Sequence, residues 1–234
     1  MNVGPEEIRA EKRQAMGKEL GELHYHLANE LHDLWWFWKD LLELFGKDQK
    51  RIDLLNEAAG GFFGRLEREM WLATLLHLSR MTDREQVAGK DTLSVRALPS
   101  FIDDEGLRGE VEAAIELAKE RTQFARDWRN RKIAHTERPP LDDAPANSLP
   151  TANRSLVEAA LAALGNVLNL VETRFTGIPM SYGSGVQVAR GVRHLVHYLE
   201  KGLASEREYL ASRGWTAERI AELRGSPPSE AETG

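Results

Sequence analysis

Apolar residues recur every three or four positions along most of the chain, which predicts a protein built from long helices. The first pattern runs from Pro5 to Phe45 and predicts one long helix that ends at Gly46. A second pattern follows Asp48, a residue suited to an N-cap, and continues to about Arg80. The apolar stripe of the first helix comprises Met16, Leu20, Leu23, Leu27, Leu31, Leu34, Trp38, Leu41 and Phe45.

The second pattern contains Gly60-Gly61, which favours a kink or a close approach by a neighbouring element. Residues 83–91 are polar and predict a loop. Thr92 or Ser94 then suits the cap of a short helix that runs to Phe101.

A third long helix is predicted from the acidic residues 103–105, which suit the positive end of a helix dipole. A fourth is predicted from Ser155, the start of a capping box, or as early as Thr151. A fifth carries apolar residues from Val188 to Leu203, and Thr216 suits the cap of a last short helix. The buried stripe of the third helix comprises Leu107, Val111, Ala114, Ile115, Ala118, Thr122 and Ala125.

The chain shows no strand-like alternation of useful length, so the predicted fold is all-α. We expect an antiparallel helical bundle of four to five main helices, in one domain over residues 1–224. The last residues, 225–234, have the composition of a disordered tail.

Composition excludes several classes of protein. The chain has 234 residues, 41% of them hydrophobic and 29% charged, as expected of a soluble domain. It has no cysteine, which rules out disulfides and thiolate metal sites. The N-terminus lacks the pattern of a signal peptide, and no apolar run approaches the ~20 residues of a membrane helix. We therefore expect a cytoplasmic protein with no membrane association.

A basic cluster spans Arg126 to His135, although the whole chain has a net charge of −6. Residues 119–138 contain seven Lys or Arg against three Asp or Glu, so average composition does not explain the excess. Arginine binds phosphate oxygens with a planar fork of donors, and histidine exchanges a proton near neutral pH. Together they suit RNA cleavage without a metal. The plainer interpretation is a solvated helix end that carries cations.

Arg129-Asn130, four further residues and His135 resemble the signature of the HEPN superfamily, and Trp128 and Ala134 also fit it. These are small all-helical proteins that include many metal-independent ribonucleases. A second segment agrees, because 78–83 and 92–95 resemble a helix end and loop in the HEPN branch associated with bacterial abortive infection.

The resemblance implies a homodimer in which two copies of the motif meet in a basic cleft and cleave RNA without a cofactor. Arg129 and His135 would be catalytic, with Asn130 orienting phosphate or histidine, and the product would carry a 2′,3′-cyclic phosphate. The residues expected to contact RNA phosphates are Arg126, Arg131, Lys132 and Arg80. The alternatives are a non-catalytic scaffold that binds RNA, nucleotide or protein, and a purely structural dimerisation module.

Helix geometry raises one difficulty. Arg129 and His135 are six positions apart, which is about 120° away from sharing a face of an α-helix. Either the helix ends between them, or the working pair involves a second subunit. Arg80 is expected either to pair with Asp83 or to face the basic motif.

The histidines outside the basic cluster, and the residue two positions after His135, exclude two further possibilities. His24, His26 and His32, like His194 and His197, match no metal motif, so we predict no metal site. Some HEPN toxins carry a tyrosine two residues after the histidine, which an antitoxin nucleotidylates. This chain has Glu137 there, so any antitoxin partner would have to act by another route.

Overall fold

A computed structural model describes residues 4–133, 149–183, 190–216 and 219, and it shows an all-α protein, as predicted. The chain divides into two compact units. The first unit comprises Met1–Trp38 and Met70–Val186, and the second comprises Lys39–Glu69 and Gln187–Gly234. The single-domain prediction stays a prediction.

The N-terminal pattern forms two helices, so the prediction of one helix from Pro5 to Phe45 was wrong. Helix α1 spans Pro5–Met16 and helix α2 spans Lys18–Phe45. Gly17 separates them with φ +86°, a conformation that only glycine adopts readily. Apolar periodicity did not reveal this break, because the apolar stripe continues on both sides of it.

Helix α3 spans Gln49–Arg80, as predicted. The Asp48 side chain caps it by accepting a 2.9 Å hydrogen bond from the amide of Arg51. The expected kink lies at Ala59, immediately before the predicted glycine pair, where the backbone leaves helical geometry.

The predicted polar loop after α3 contains a short antiparallel hairpin. Strand β1 spans Gln86–Val87 and strand β2 spans Lys90–Asp91. Ser94 then caps a 3₁₀ helix at Val95–Phe101, which confirms the expected short helix.

Helix α4 spans Glu105–Arg121, and the Asp104 side chain caps it. The predicted stripe is buried throughout, from Leu107 to Ala125. The chain continues as helix α5, Gln123–Trp128, and then as a π-helical turn, Arg129–Ile133.

Helix α6 spans Arg154–Thr176 and packs along α4. Its cap is Asn153, which accepts a 3.0 Å bond from the amide of Leu156, so the predicted capping box at Ser155 was wrong. By length and composition alone α6 is apolar enough to cross a membrane, and just over half of that stretch is buried inside the protein.

The second unit includes helix α7, Arg190–Ser212. Val192, Val196 and Leu203 are buried, whereas Leu195, predicted to belong to the core stripe, is 40% exposed. Val188, most of the predicted short helix after Thr216 and the tail lie outside the described residues.

A charged cluster joins α1 to α6 in the core of the first unit. Lys12 forms an ion pair with Glu172, and both residues are buried. The fully buried His24 has its Nε2 atom 3.1 Å from the carbonyl oxygen of Leu168. The other two histidines of α2 are also hydrogen-bonded, since His26 contacts Glu22 and His32 accepts from Trp36.

We predict that Gly21→Ala destabilises the protein, because α1 crosses α2 at this residue. A Cβ atom at Gly21 would lie 2.5 Å from the carbonyl oxygen of Lys12. Overpacking of this kind costs about 1–3 kcal/mol. Gly109→Ala, in open space on α4, should instead stabilise by up to about 1 kcal/mol. Urea unfolding of both variants checks this, and equal midpoints would contradict it.

We also predict that stability falls as pH drops below about 6.5, the ordinary pKa of histidine. Burial lowers the pKa of His24, against the opposing effects of the Leu168 carbonyl and Glu172, and Lys12 lowers it further. The unfolded chain therefore binds this proton at a higher pH than the folded protein does, so acid favours unfolding. His24→Gln should flatten the dependence of unfolding free energy on pH between about 5 and 7. An unchanged slope would show that other groups control it.

Candidate functional site

The helix that leads into the basic cluster is interrupted at Thr122, immediately after the end of α4. The Thr122 hydroxyl donates a 2.9 Å hydrogen bond back to the carbonyl of Ala118, a bond that competes with regular helix geometry. Helix α5 restarts at the next residue, and from Arg129 to Ile133 the backbone forms π-helical turns. Because π turns close i→i+5 bonds, residues 129–133 do not follow the α-helical rotation from which the offset of about 120° was derived, and His135 itself lies outside the described residues.

Asp83 brings together the two segments that carry the resemblance. Nη1 of Arg129 donates to both carboxylate oxygens of Asp83, each at 2.7 Å. Nη1 of Arg126 donates to one of the same oxygens at 3.2 Å. The three side chains are about one-fifth exposed. The Asp83 carboxylate pairs with Arg126 and Arg129, and not with Arg80 as one of the two alternatives had it. Arg80 is exposed at the end of α3, and the alternative that it faces the basic motif stays a prediction.

Arg126 is also held by a buried pair of threonines. Its Nη2 atom donates to the carbonyl oxygen of Thr82 at 3.1 Å and to the Thr82 hydroxyl at 2.7 Å. The hydroxyl of Thr82 lies 2.8 Å from that of Thr122, which belongs to the neighbouring helix junction. Burial lowers the pKa of Arg126, and Asp83 opposes that effect. Arg126 is therefore bound by Thr82 and Asp83 while about one-fifth of its side chain stays exposed, and its predicted contact with RNA phosphates stays a prediction.

The loop before the 3₁₀ helix fixes the position of Asp83. The Ser94 hydroxyl donates to the carbonyl oxygen of Asp83 at 2.7 Å. The amide of Val95 donates to the carbonyl oxygen of Met81 at 2.9 Å. Residues 92–95, which carry part of the resemblance, thus fix the backbone at the end of α3. They support the ion cluster, because the Asp83 side chain reaches Arg126 and Arg129 from this position.

Asn130 contacts Arg129 directly, and Trp128 anchors the residue before it. The side-chain oxygen of Asn130 accepts from Nε of Arg129 at 3.2 Å, so Asn130 orients the guanidinium. The indole of Trp128 donates a 2.9 Å bond to the carbonyl of Pro150, shortly before α6. Among the described residues, no other hydrogen-bond acceptor contacts Nη2 of Arg129.

Of the remaining residues predicted to contact phosphate, Lys132 and Arg80 are exposed, and Arg131 is half-buried and engaged in interactions of its own. Their role as phosphate contacts stays a prediction. His135, the predicted proton-transfer residue, lies outside the described residues, as do Ala134 and Glu137. Within the described ranges, no three His, Asp or Glu side chains cluster closely enough to hold a metal ion.

The sequence pattern did not indicate that Asp83 pairs with Arg126 and Arg129. Two guanidinium groups share one carboxylate, which leaves one net positive charge at the cluster. A carboxylate that binds an arginine in this way fixes its direction and its distance from neighbouring groups. The available signal was the position of Asp83 inside the second family-like segment.

We predict that Asp83→Ala destabilises the protein by about 1–3 kcal/mol, because it leaves two partly buried cations side by side. Asp91→Ala is the matched control, since that exposed carboxylate contacts only Gln86 in the described hairpin and should change stability by less than about 0.5 kcal/mol. Chemical denaturation measures both. Equal effects would mean that the cluster contributes nothing to stability.

Comparison with known proteins identifies the family. The model of the HEPN-type family AbiU2 matches residues 17–192, about three quarters of the chain. The match includes α2 to α6 and therefore both segments that meet at Asp83. Neither a curated protein nor a solved structure matches the chain significantly. The chain therefore belongs to the AbiU2 family, a HEPN-type family associated with abortive infection.

Proposed function

We propose that this protein is a metal-independent endoribonuclease of the toxin-like or phage-defence type. The observation that carries the proposal is the arrangement around Arg129, within a chain of the AbiU2 family. Asp83 and Asn130 hold this arginine from two sides while part of its guanidinium stays exposed. An arginine held in this way suits a fixed phosphate and needs little reordering when it binds.

The proposed reaction is transesterification within RNA. The ribose 2′-oxygen attacks the adjacent phosphorus, and the bond from phosphorus to the 5′-oxygen breaks. His135 takes the proton of the 2′-hydroxyl or supplies one to the departing 5′-oxygen. Arg129 stabilises the extra negative charge on the phosphoryl oxygens. The products are a 2′,3′-cyclic phosphate and a free 5′-hydroxyl, and no oxidant or cofactor is required.

We further propose that two copies of the motif form the active site in a cytoplasmic homodimer. In a single copy, Asp83 neutralises one of the two charges of Arg126 and Arg129, so one net positive charge of this pair remains to attract a phosphate. A second subunit would double the number of exposed guanidinium and lysine groups near one phosphate. Arg131, Lys132 and Arg80 would then act as auxiliary contacts for the RNA backbone.

One observation favours a second candidate, a non-catalytic scaffold that binds RNA, nucleotide or an acidic partner. Arg126 donates to Thr82 and Asp83, so its interactions already lie inside the protein. In this case the basic segment would serve mainly to organise the fold. Lys132 and other exposed cations would contribute the binding.

We predict that His135→Ala abolishes RNA cleavage while leaving the fold intact. A general acid or base contributes about 10²–10⁴-fold to the rate. The measurement is the rate of cleavage of a labelled RNA mixture in the presence of EDTA, with circular dichroism as the folding check. His26→Ala, which removes an exposed histidine on α2, is the matched control and should cleave normally.

Two results would decide against this assignment. Full activity of His135→Ala would exclude His135 as the proton-transfer group. A wild-type protein that binds RNA but never cleaves it would favour the scaffold. In either case, if the role of Arg129 is electrostatic, Arg129→Ala should weaken RNA binding more at low salt than at high salt and reduce the slope of log affinity against log salt by about one. Lowering the salt concentration should still recover binding by this variant, because its remaining cations then bind RNA more tightly.

A further inference from the structure

Helix α7 carries a second stripe, made of small and aromatic residues and one leucine, that the described part of the chain leaves exposed. Its core-facing stripe contains the buried residues Val192, Val196 and Leu203. Beside it, alternating steps of four and three define another stripe of exposed residues, with Leu195 40%, Tyr198 69% and Tyr209 58% exposed. The members of this exposed stripe are Gly191, Leu195, Tyr198, Gly202, Ser205, Tyr209 and Ser212.

The spacing of the exposed stripe is the heptad pattern of a helix pair. Seven positions at alternating steps of four and three keep one seam facing a partner helix over about 32 Å. A Cβ atom added at Gly191 or Gly202 would meet nothing within 4 Å, so neither glycine is covered by the residues that the structure describes. Small residues in the middle of the seam permit two helices to approach closely.

Two exposed charges of opposite sign flank the stripe. Lys201 directly precedes Gly202 and Glu208 directly precedes Tyr209, so both lie on the same side of the seam. Two arginines of α7 are engaged within the chain, Arg193 with Glu43 and Arg207 with Glu57. An antiparallel pair of α7 helices brings Lys201 of each against Glu208 of the other, and it also opposes their macrodipoles favourably.

We propose that α7 mediates self-association through an antiparallel pair with a second copy of this chain. The twofold axis passes between Gly202 and Ser205, so these small residues face each other. Tyr198 then lies opposite Tyr209 of the other copy, and Lys201 lies opposite Glu208. Lys201 and Glu208 are both exposed in the single chain and flank the seam at equivalent positions.

This proposal is independent of the proposed ribonuclease. Helix α7 starts at Arg190, and the family match ends at residue 192, so nearly the whole surface lies outside the matched region. The basic motif belongs to the other compact unit. Association through α7 therefore requires neither Arg129 nor His135.

The test is a charge exchange, measured by sedimentation equilibrium of the full chain. Lys201→Glu and Glu208→Lys should each weaken association about tenfold, because each loses two symmetric pairs and creates like-charge contacts. The double variant should return to the wild-type constant. A parallel pair would place Lys201 against Glu206 and Glu208 against Arg213, so the exchange would leave both contacts repulsive and restore nothing.

Disulfide trapping provides a second readout, because the chain contains no cysteine. A mixture of Gly202→Cys and Ser205→Cys chains should form disulfide-linked dimers under mild oxidation. Glu200→Cys, which faces away from the seam, should not. A wild-type protein that stays monomeric, a charge exchange without effect, or equal trapping at all positions would each overturn the proposal.

Discussion

The shared carboxylate of Asp83 is the interaction on which the site depends. It binds Arg126 and Arg129, two residues that are separated from it by more than forty positions in the chain. Thr82 accepts from Arg126 through its hydroxyl, which in turn contacts the hydroxyl of Thr122, so the guanidinium of Arg126 is engaged with partners inside the protein. The outer guanidinium of Arg129 is oriented by the same carboxylate and remains partly accessible. One acidic residue therefore gives two neighbouring arginines different roles.

The core around this site combines regular apolar packing with one charged contact. Helices α4 and α6 pack through apolar stripes that contain no ion pair at their centre. The ion pair of Lys12 and Glu172 instead ties α1 to α6. Because α1 lies before the start of the family match, this contact joins a flanking helix to the family fold. Separating the two partners would leave a buried charge, so α1 is coupled to the stability of the first unit.

The parts of the fold that sequence predicted are those controlled by local periodicity. The stripe from Leu107 to Ala125, the cap at Asp48 and the cap at Ser94 follow from neighbouring residues, and the structure confirms them. The break at Gly17 was missed because apolar spacing carries no information about the sign of φ. The cap of α6 was misassigned because Asn153 and Ser155 are both good capping residues, and only the local backbone selects one.

The candidate site was predictable in its residue types but not in its connections. Arg129 and Asn130 were identified from the motif, and they contact each other. The bond to Asp83 could not be inferred, because it joins distant helices and a carboxylate in a polar loop has many candidate partners. The π-helical turn after Trp128 was also invisible, since it changes the rotation between residues without changing their spacing in the sequence.

The hydrogen bond from the indole of Trp128 to the carbonyl of Pro150 joins two positions that are 22 residues apart in the chain. Helix α5 ends at Trp128, and α6 begins at Arg154, soon after Pro150. The residue that precedes Arg129 is therefore referenced to the start of the most apolar helix of the first unit. A displacement of α6 would be transmitted to Arg129 through this single bond as well as through the packing of α4.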